Sequence, residues 1–379
     1  MVALQTIKIV ALSTYKIGDK KKSGIDIEAF MKISILTFSF AVNRGAHMQC
    51  YALQTVLLNA GHNVEIIHIE LPSGRLSWKG KLDQYILNSK NERFRKKHYS
   101  KITLTYHSAE ELRQNPPIAD VYIVGSDQVW NPALTQAFGS EAFFLDFVPK
   151  GCKKIAYAAS FGASVWISLG ADKDAQIRKL VSLFDAISVR ETDGVKICNQ
   201  VFGRNDAVSV IDPVFLLDDY SQIVGECNKV QKQVICYPLF MNDATREVFS
   251  EVSCDLKLTP ISYTPSLCGG EIKVRMFSSI PVWLKAIKQS EIVVTNSFHC
   301  MAFCILFHKR FIVTPPVPGR ESRILSMLSQ LGIEDRYVKS TSDYQMRKTI
   351  LYKDIDYTTV DERLRLLRQE STDFLLRSL

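Results

Sequence analysis

Short apolar runs alternate along the chain with longer segments whose apolar residues recur at helical spacing. The short runs are typical of buried strands and the longer segments of helices with one buried face. The first cycle of predicted strands lies at Ile33–Phe38, Val64–Ile69, Val121–Gly125, Ile155–Ala159, Ala186–Val189 and Val208–Ile211. Predicted helices of this cycle lie at Gly45–Asn59, which Gly61 ends, and at Thr192–Val201.

The same alternation begins again after Asp212–Pro213. Predicted strands of the second cycle lie at Val234–Leu239, Leu256–Ser262, Ile292–Thr295 and Phe311–Thr314. Predicted helices lie at Asn242–Val252, Pro281–Lys288, Phe298–His308 and Arg320–Gln330, followed by an amphipathic tail at Thr358–Leu379. Repeated strand–helix units predict parallel strands with helices on both faces. The pattern therefore predicts an α/β protein with two Rossmann-like domains that face a cleft.

The two cycles also predict the domain boundaries. We expect an N-terminal domain over residues 31–215, a C-terminal domain over 216–345 and a helical tail over 346–379. Residues 1–30 differ from the rest, because Lys20–Lys22 interrupts any apolar region of a signal peptide. The first buried-strand pattern follows Met31 directly, so residues 1–30 are expected to be an extension outside the fold.

Composition and charge restrict the class of protein. A chain of 379 residues with 46% hydrophobic and 23% charged residues is ordinary globular usage, which excludes a disordered or coiled-coil protein. The longest apolar run, Cys300–Phe307, is much shorter than the roughly 18 residues of a membrane-spanning helix. Of the net charge of +8, the segment Lys90–Lys101 carries +5, from six basic residues and Glu92. This segment is either a solvated helix face or a surface that attracts anionic substrates or membrane headgroups.

The cysteines indicate a reducing compartment. Nine cysteines are scattered without a Cys-x-x-Cys pair, so we expect reduced thiols and a cytoplasmic protein, with peripheral contact to the inner membrane face. Cys300 and Cys304 lie four residues apart in an apolar helical pattern, which favours core packing over metal binding. A tightly bound metal or cofactor is not expected, and a divalent cation is not indicated.

Polar residues follow several predicted strands, where ligands of open α/β sheets bind. Asn43–Ala46 opens the first helix, but the chain has no Gly-x-Gly-x-x-Gly and no Walker lysine, which excludes dinucleotide and P-loop sites. Gly125–Pro132 is either a turn around a buried tryptophan or a loop that binds a polyhydroxyl compound and holds a proton-transfer carboxylate.

Basic residues follow other strands. Arg190 ends one of them, where a guanidinium either binds a carboxylate or phosphate or pairs with Glu191. His299 lies in the first turn of a helix after a polar triplet, where it would face the cleft. Arg320 and Arg323 follow a loop rich in proline and glycine, and form either a second anion anchor or surface ion pairs.

Taken together and in this order, these motifs resemble those of the polysaccharide pyruvyl transferases. The resemblance rests on Asn43–Gln54, Gly125–Asn131, Ala156–Gly162, Ser188–Glu191, Asp212–Val214 and Asn296–His299. It implies a fold similar to GT-B glycosyltransferases. It also implies transfer of the pyruvyl group of phosphoenolpyruvate to a sugar, on a polysaccharide or on its lipid-linked precursor, as a pyruvate ketal.

The resemblance also implies a division of the site. Arg190 and His299 fall where family members hold the donor, and Arg320 or Arg323 lies near a further basic donor position. His299 is the candidate acid or phosphate partner and Asp127 the candidate base. The acceptor is expected to contact Asn43, Arg44, Gly45, Ser126, Asp127, Trp130 and Asn131.

Two other functions remain open at this point. The first is a GT-B glycosyltransferase that uses a nucleotide sugar, although Pro315–Gly319 offers no carboxylate for a ribose. The second is a non-catalytic sugar-binding protein of an envelope-assembly complex. Phosphoenolpyruvate and a saccharide are the expected partners, and nucleic acid is not.

Overall fold

Two parallel sheets organise the chain in the computed structural model, which describes residues 30–40, 42–71, 77–227, 229–264, 267 and 272–379. Within these residues seven parallel strands form the first sheet, in the order β3-β2-β1-β4-β5-β6-β7 given the numbering that follows. The strands are β1 (Lys32–Leu36), β2 (Asn63–Ile69), β3 (Ile102–Tyr106), β4 (Val121–Val124), β5 (Lys153–Ala159), β6 (Ala186–Val189) and β7 (Val208–Ser209).

The second sheet has the same construction. Its five parallel strands in the described residues run in the order β10-β9-β8-β11-β12. They are β8 (Gln233–Tyr237), β9 (Thr259–Ser262), β10 (Lys273–Val274), β11 (Ile292–Thr295) and β12 (Arg310–Val313). Strands β4, β8 and β11 are buried at every position, because helices cover both faces of each sheet.

Helices connect the strands in both sheets. In the N-terminal half these are α1 (Arg44–Asn59), α2 (Trp78–His98), α3 (Ala109–Gln114), α4 (Pro132–Thr135), α5 (Ala171–Val181), α6 (Thr192–Gln200) and α7 (Ser221–Val224). In the C-terminal half they are α8 (Asp243–Leu256), α9 (Ile280–Gln289), α10 (Phe298–Leu306), α11 (Ser322–Leu331), α12 (Thr341–Leu351) and α13 (Tyr357–Ser378). Among the described helices, none has an apolar stretch of the length and purity that crossing a bilayer requires.

The strand orders place a ligand site. In the first sheet the chain runs outward from β1 through β2 to β3, then returns to β4 on the other side of β1. The second sheet repeats this around β8 and β11. Ligands of such sheets bind where the order reverses, beyond the carboxyl ends of the two central strands. Each half therefore has one such point, after β1 and β4 and after β8 and β11.

The final helix joins the two halves. The Ser371 hydroxyl of α13 accepts a hydrogen bond from the Ile211 amide at 3.1 Å, and Arg368 donates to the carbonyl of Phe215 at 2.6 Å. One apolar cluster also continues from the first sheet into the second, and includes Ile33, Phe215 and Ile235. These contacts hold the halves together around the cleft.

Several elements differ from the expectations of the pattern. Helix α2 is predicted only as a charged helix face, and β3, α3, α4, α5, α7 and β10 are not predicted. Helix α12 begins at Thr341, before the helical tail predicted over residues 346–379. The predicted helix after β11 ends at Leu306 because His308 takes a left-handed φ of 52°. The expected extension at residues 1–30, with Lys20–Lys22, lies outside the described residues except for Phe30, and the domain boundaries stay a prediction.

Candidate active site

A small cavity lies where the switch points of the two sheets face each other. Its volume is about 250 Å³, and both halves contribute to its lining. The polar and charged residues of the lining include Asn43, Asp127, Gln128, Ser297, His299, Arg320 and Arg323. Because these side chains come from loops after β1, β4, β11 and β12, the cavity depends on both sheets for its shape.

His299 of one half packs against Gly45 of the other at this cavity. Asn43 caps α1 by accepting a hydrogen bond from the Gly45 amide at 2.9 Å, and Ser297 caps α10. A Cβ atom on Gly45 would lie 2.4 Å from both Cγ and Nδ1 of His299, closer than real Cβ contacts come. The imidazole therefore lies against bare backbone, and only glycine leaves room for it.

Asp212 is the buried centre of the charge network behind the cavity. Its Oδ2 accepts hydrogen bonds from Arg190 and, at 3.1 Å, from the Ser126 hydroxyl, and it lies 3.5 Å from His299 Nε2. Burial raises the pKa of Asp212, but the charges of His299 and Arg190 outweigh it and hold this pKa well below its ordinary value. The Asp212 carboxylate is therefore ionised and faces the imidazole.

Arg190 is enclosed by acidic and aromatic groups. Its Nη2 lies 3.5 Å from Asp127 Oδ1, and its guanidinium lies 4.7 Å from the centre of the Phe298 ring. Burial lowers the pKa of Arg190, but Asp212, Asp127 and Glu191 together raise it above its ordinary value. The side chain thus stays charged while it is almost fully excluded from solvent.

Arg323 is a second buried guanidinium, and it lines the cavity. Burial, followed by the positive charge of Arg190, lowers its pKa to about 10. The proton remains bound at neutral pH, although no ion pair within the described residues involves Arg323. Two buried like charges in one site are unfavourable unless an anion comes between them.

Unpaired polar atoms gather around this cavity. Four buried atoms have no hydrogen-bond partner among the described residues: Nε of Arg190, Nε2 of His299, Nε of Arg323 and Oε2 of Glu191. Most buried polar groups in proteins are hydrogen-bonded, so such a group usually marks a missing water, ion or ligand. Three of the four are N–H donors or a titratable ring nitrogen, which suits an anionic ligand.

A larger polar cavity adjoins the small one. Its volume is about 830 Å³, it lies beyond β1, β2 and β3, and it shares Phe38 and Leu71 with the small cavity. His68 stacks on Phe40 with 3.6 Å between the ring centres, and Thr105 lies 2.9 Å from its Nδ1. Burial and then the charge of Arg95 lower the pKa of His68 to about 4, so its ring is neutral at neutral pH.

The structure brings together most of the residues expected at the donor. His299, Arg320, Arg323 and Asp127 line the small cavity, and Arg190 lies directly behind it. Arg320 is half-exposed with its guanidinium 5.9 Å from the Phe240 ring, whereas Arg323 is buried. Asp127 takes a left-handed φ of 70°, and its Oδ1 accepts a hydrogen bond from the Gln128 amide.

Four of the expected acceptor residues lie elsewhere. Arg44 donates hydrogen bonds to the carbonyls of Met276 at 2.6 Å and Ser278 at 2.9 Å, so it ties the halves together. Ser126 is fully buried and supports Asp212. The Trp130 indole donates to a backbone carbonyl in the core, and Asn131 caps α4. These four side chains are therefore occupied by protein contacts and do not line the small cavity, whereas Asn43 lines it while it caps α1.

Two acidic residues of the site were not expected from the sequence. Asp212 is part of a motif that carries the family resemblance and is not among the predicted site residues, yet it contacts both Arg190 and His299. Glu191 enters the sequence analysis only as one alternative partner of Arg190, and in the structure it accepts hydrogen bonds from the Ser160 hydroxyl and the Phe161 amide. Their positions in the sequence could have indicated both residues, since each follows a predicted strand.

Comparisons with known proteins agree with this architecture. A family model described as polysaccharide pyruvyl transferase matches residues 43–315. A search of curated protein sequences finds no match. Staphylococcus aureus MnaA in complex with UDP superposes with a TM-score of 0.52 at 12% identity, over 87% of this chain and 91% of that one. Arabidopsis thaliana UGT89C1 with UDP superposes with a TM-score of 0.52 at 9% identity, over 90% of this chain and 100% of that one. These likenesses confirm the expected fold of two Rossmann-like domains, of the GT-B type.

Proposed function

Because the chain belongs to the polysaccharide pyruvyl transferase family, we propose that it moves the pyruvyl group of phosphoenolpyruvate onto a sugar, forming a pyruvate ketal. The sugar belongs to a cell-surface polysaccharide or to its lipid-linked precursor. The observation that carries the donor assignment is the buried, unpaired guanidinium of Arg323 beside the second buried guanidinium of Arg190.

Phosphoenolpyruvate matches these groups in charge and size. It carries a carboxylate and a phosphate on adjacent atoms of a three-carbon skeleton, so it needs two separate cationic anchors. Arg323 and Arg320 line the cavity on one side and His299 on another, with Arg190 behind. Guanidinium groups suit forked hydrogen bonding to both kinds of anion. The volume of about 250 Å³ is below the roughly 300–1,000 Å³ of sites for drug-sized ligands, which suits a small donor.

The reaction consumes two sugar hydroxyls and releases one phosphate. The methylene carbon of the donor gains a proton and becomes a methyl group, and the central carbon forms two bonds to sugar oxygens. Its bond to the phosphate oxygen breaks, and of the two hydroxyl protons one balances the methyl group and the other leaves on phosphate. His299 is the proposed acid, because it lines the small cavity and the ionised Asp212 carboxylate lies 3.5 Å from its Nε2. Asp127 is the proposed base for a hydroxyl.

The larger polar cavity is the proposed entry for the acceptor. It has about 830 Å³ of space and opens beside Phe38 and Leu71 of the small cavity. Neutral His68 and Tyr85, which both line this cavity, offer hydrogen bonds and ring faces, the groups that commonly bind carbohydrate hydroxyls and apolar sugar faces. This assignment replaces Trp130 and Asn131 as proposed acceptor contacts.

We also propose that the reaction takes place in the cytoplasm. The eight cysteines of the described residues are free thiols, which suits a reducing compartment.

Phosphate release from phosphoenolpyruvate tests the proposed function directly. The purified protein is incubated with phosphoenolpyruvate and a panel of saccharides that end in galactose, mannose or an N-acetylhexosamine. Release of phosphate that depends on one acceptor, with a pyruvate ketal in the product by mass spectrometry, is the expected result.

The same panel separates the alternatives. A nucleotide-sugar glycosyltransferase would be stabilised by UDP and not by phosphoenolpyruvate in a thermal-shift measurement, and it would release no phosphate. A non-catalytic sugar-binding protein would bind a saccharide without any turnover. Either outcome would replace the proposed reaction.

A further inference from the structure

A third cavity is lined by basic and apolar residues from both halves. This basic groove lies between α2 and the segment Val274–Val282 that leads into α9, and its volume is about 870 Å³. Its basic side chains are Lys90, Arg93, Lys97 and Arg275, and within the described part of the chain no acidic residue lines it. Three of the six basic residues in the segment Lys90–Lys101 line it, and the sequence alone left the function of this segment open.

The positive charge of the basic groove is not neutralised by the protein. Arg93, Lys97 and Arg275 are exposed, and none of them takes part in an ion pair with any other described residue. Lys90 donates a hydrogen bond to the carbonyl of Phe277, which draws its ammonium across the groove. Helix α9 begins here without a side-chain cap, so its first amide N–H groups, which exclude that of Pro281, also favour an anion. The groove is therefore complementary to phosphate.

The wall of the basic groove is apolar. Phe94 is buried at its base, and Ile223, Met276, Phe277 and Val282 complete an apolar surface beside the cations. A free phosphate or a nucleic-acid backbone would leave this surface in contact with water. A phosphate group that carries a hydrocarbon chain would cover it, because burial of apolar surface is favourable.

The basic groove and the small cavity lie along one edge of the second sheet. The loop after β10 lines the groove, whereas the loops after β8, β11 and β12 line the small cavity. Neighbouring strands are about 4.8 Å apart, so the two to four strand spacings between these loops separate the sites by roughly 10–20 Å. Arg44 lies between them, since it holds the carbonyls of Met276 and Ser278 while its neighbour Asn43 lines the small cavity.

We propose that the basic groove binds the phosphorylated lipid carrier of the acceptor, while the sugar attached to it reaches the small cavity. The inference rests on the proposed function, and it selects the lipid-linked precursor over the finished polysaccharide. The cations hold the phosphate or diphosphate, and the apolar wall holds the first part of the hydrocarbon chain. The separation of the sites corresponds to the length of a short oligosaccharide.

A binding experiment without donor tests this inference independently of turnover. Farnesyl diphosphate is titrated calorimetrically into the wild-type protein and into the double variant Arg93→Glu/Lys97→Glu. The matched control, Lys179→Glu/Lys232→Glu, makes the same charge change at exposed lysines that line neither cavity. We expect the groove variant to lose at least about tenfold in affinity and the control to keep it, because charged hydrogen bonds to phosphate are lost.

Two further probes show which part of the ligand is recognised. Farnesol lacks the diphosphate and inorganic pyrophosphate lacks the chain, so both are expected to bind more weakly than farnesyl diphosphate. Equal binding of farnesyl diphosphate by the groove variant and the wild type would overturn the inference. Binding of anionic phospholipid vesicles that the groove variant loses, with no binding of farnesyl diphosphate, would also overturn it and indicate a membrane contact.

Activity separates the inference from the proposed function. If phosphoenolpyruvate is turned over with a free saccharide, the groove variant is expected to retain that activity, because the groove does not contact the donor. If no saccharide supports phosphate release, the proposed function fails. The calorimetric result still decides whether the basic groove binds a phosphorylated lipid.

Discussion

The small cavity and the basic groove are both positive, but they hold their charges in different ways. At the small cavity Arg323 is buried in the lining, and Arg190 is buried directly behind it, where Asp212 and Asp127 hold it. In the basic groove Arg93 and Lys97 project from α2 into solvent. Buried charges interact strongly and are screened little by salt, whereas exposed ones act weakly and depend on ionic strength. The buried charges of the small cavity therefore suit catalysis, and the exposed charges of the basic groove suit the binding of a large anionic substrate.

The largest expected effect comes from removing Arg190, the buried guanidinium behind the small cavity. Arg190→Met leaves the Asp212 carboxylate buried without its main partner, so we expect a loss of about 3–5 kcal/mol in the free energy of unfolding. Urea denaturation measures this loss, and phosphate release is expected to disappear with it. The second change Asp212→Asn in the same chain should restore much of the stability but not the activity. Independent, additive effects of the two changes would contradict the pairing.

The next largest effect concerns His299. His299→Ala is expected to lower the rate of phosphate release about 100-fold or more, because it removes the proposed acid. His308→Ala is the matched control, since His308 lies just after the same helix, is exposed, and pairs with Asp361 at the surface. Equal rates for the two variants would exclude His299 from the chemistry.

Gly45→Ala tests the close contact between the halves, with a smaller effect. Alanine normally stabilises a helix by about 1 kcal/mol relative to glycine. Here its Cβ would lie 2.4 Å from the His299 ring, so we expect lower stability and about a tenfold loss of kcat as the imidazole moves. The same substitution in a His299→Gly background has no ring to displace and should become neutral or stabilising. Persistent destabilisation in that background would show that another contact is responsible.

The smallest effect separates the two positive regions by their response to salt. Raising the sodium chloride concentration tenfold, from 0.05 M, is expected to raise the KM of a phosphorylated lipid-linked acceptor by about threefold or more, because exposed charges are screened. The KM of phosphoenolpyruvate should change less, because Arg323 and Arg190 are buried. Steady-state kinetics at fixed pH measure both values, and an equal response of the two would contradict the distinction.

The fold was largely predictable from hydrophobic patterning. The strand Ile292–Thr295 has the predicted bounds, and most other strands and helices shift by only a few residues. Helix α2 could not be recognised from the sequence, because its opposite sides line different cavities. Tyr85 and Asn88 line the larger polar cavity, whereas Arg93 and Lys97 line the basic groove. The helix therefore lacks the continuous apolar stripe by which a helix is recognised.

The site was predictable only in part. Arg190 and His299 were found because each ends a predicted strand or begins the following helix. Asp212 was missed as a partner because its contacts join residues 22 and 87 positions away, which no local pattern records. Trp130 was predicted to contact the acceptor, because an aromatic residue in a polar loop can face either the core or a ligand. In the structure the Trp130 ring stacks on Phe144, so it faces the core.

Calorimetric titration of phosphoenolpyruvate tests the central claim, that buried guanidinium groups of both halves hold this donor. The wild-type protein is compared with Arg323→Met, and with Arg365→Met as a control whose arginine is exposed on α13 and pairs with Glu362. We expect binding by the wild type and the control, and a loss of at least about tenfold in affinity for Arg323→Met. Equal affinity in all three proteins, or no binding by the wild type, would contradict the account.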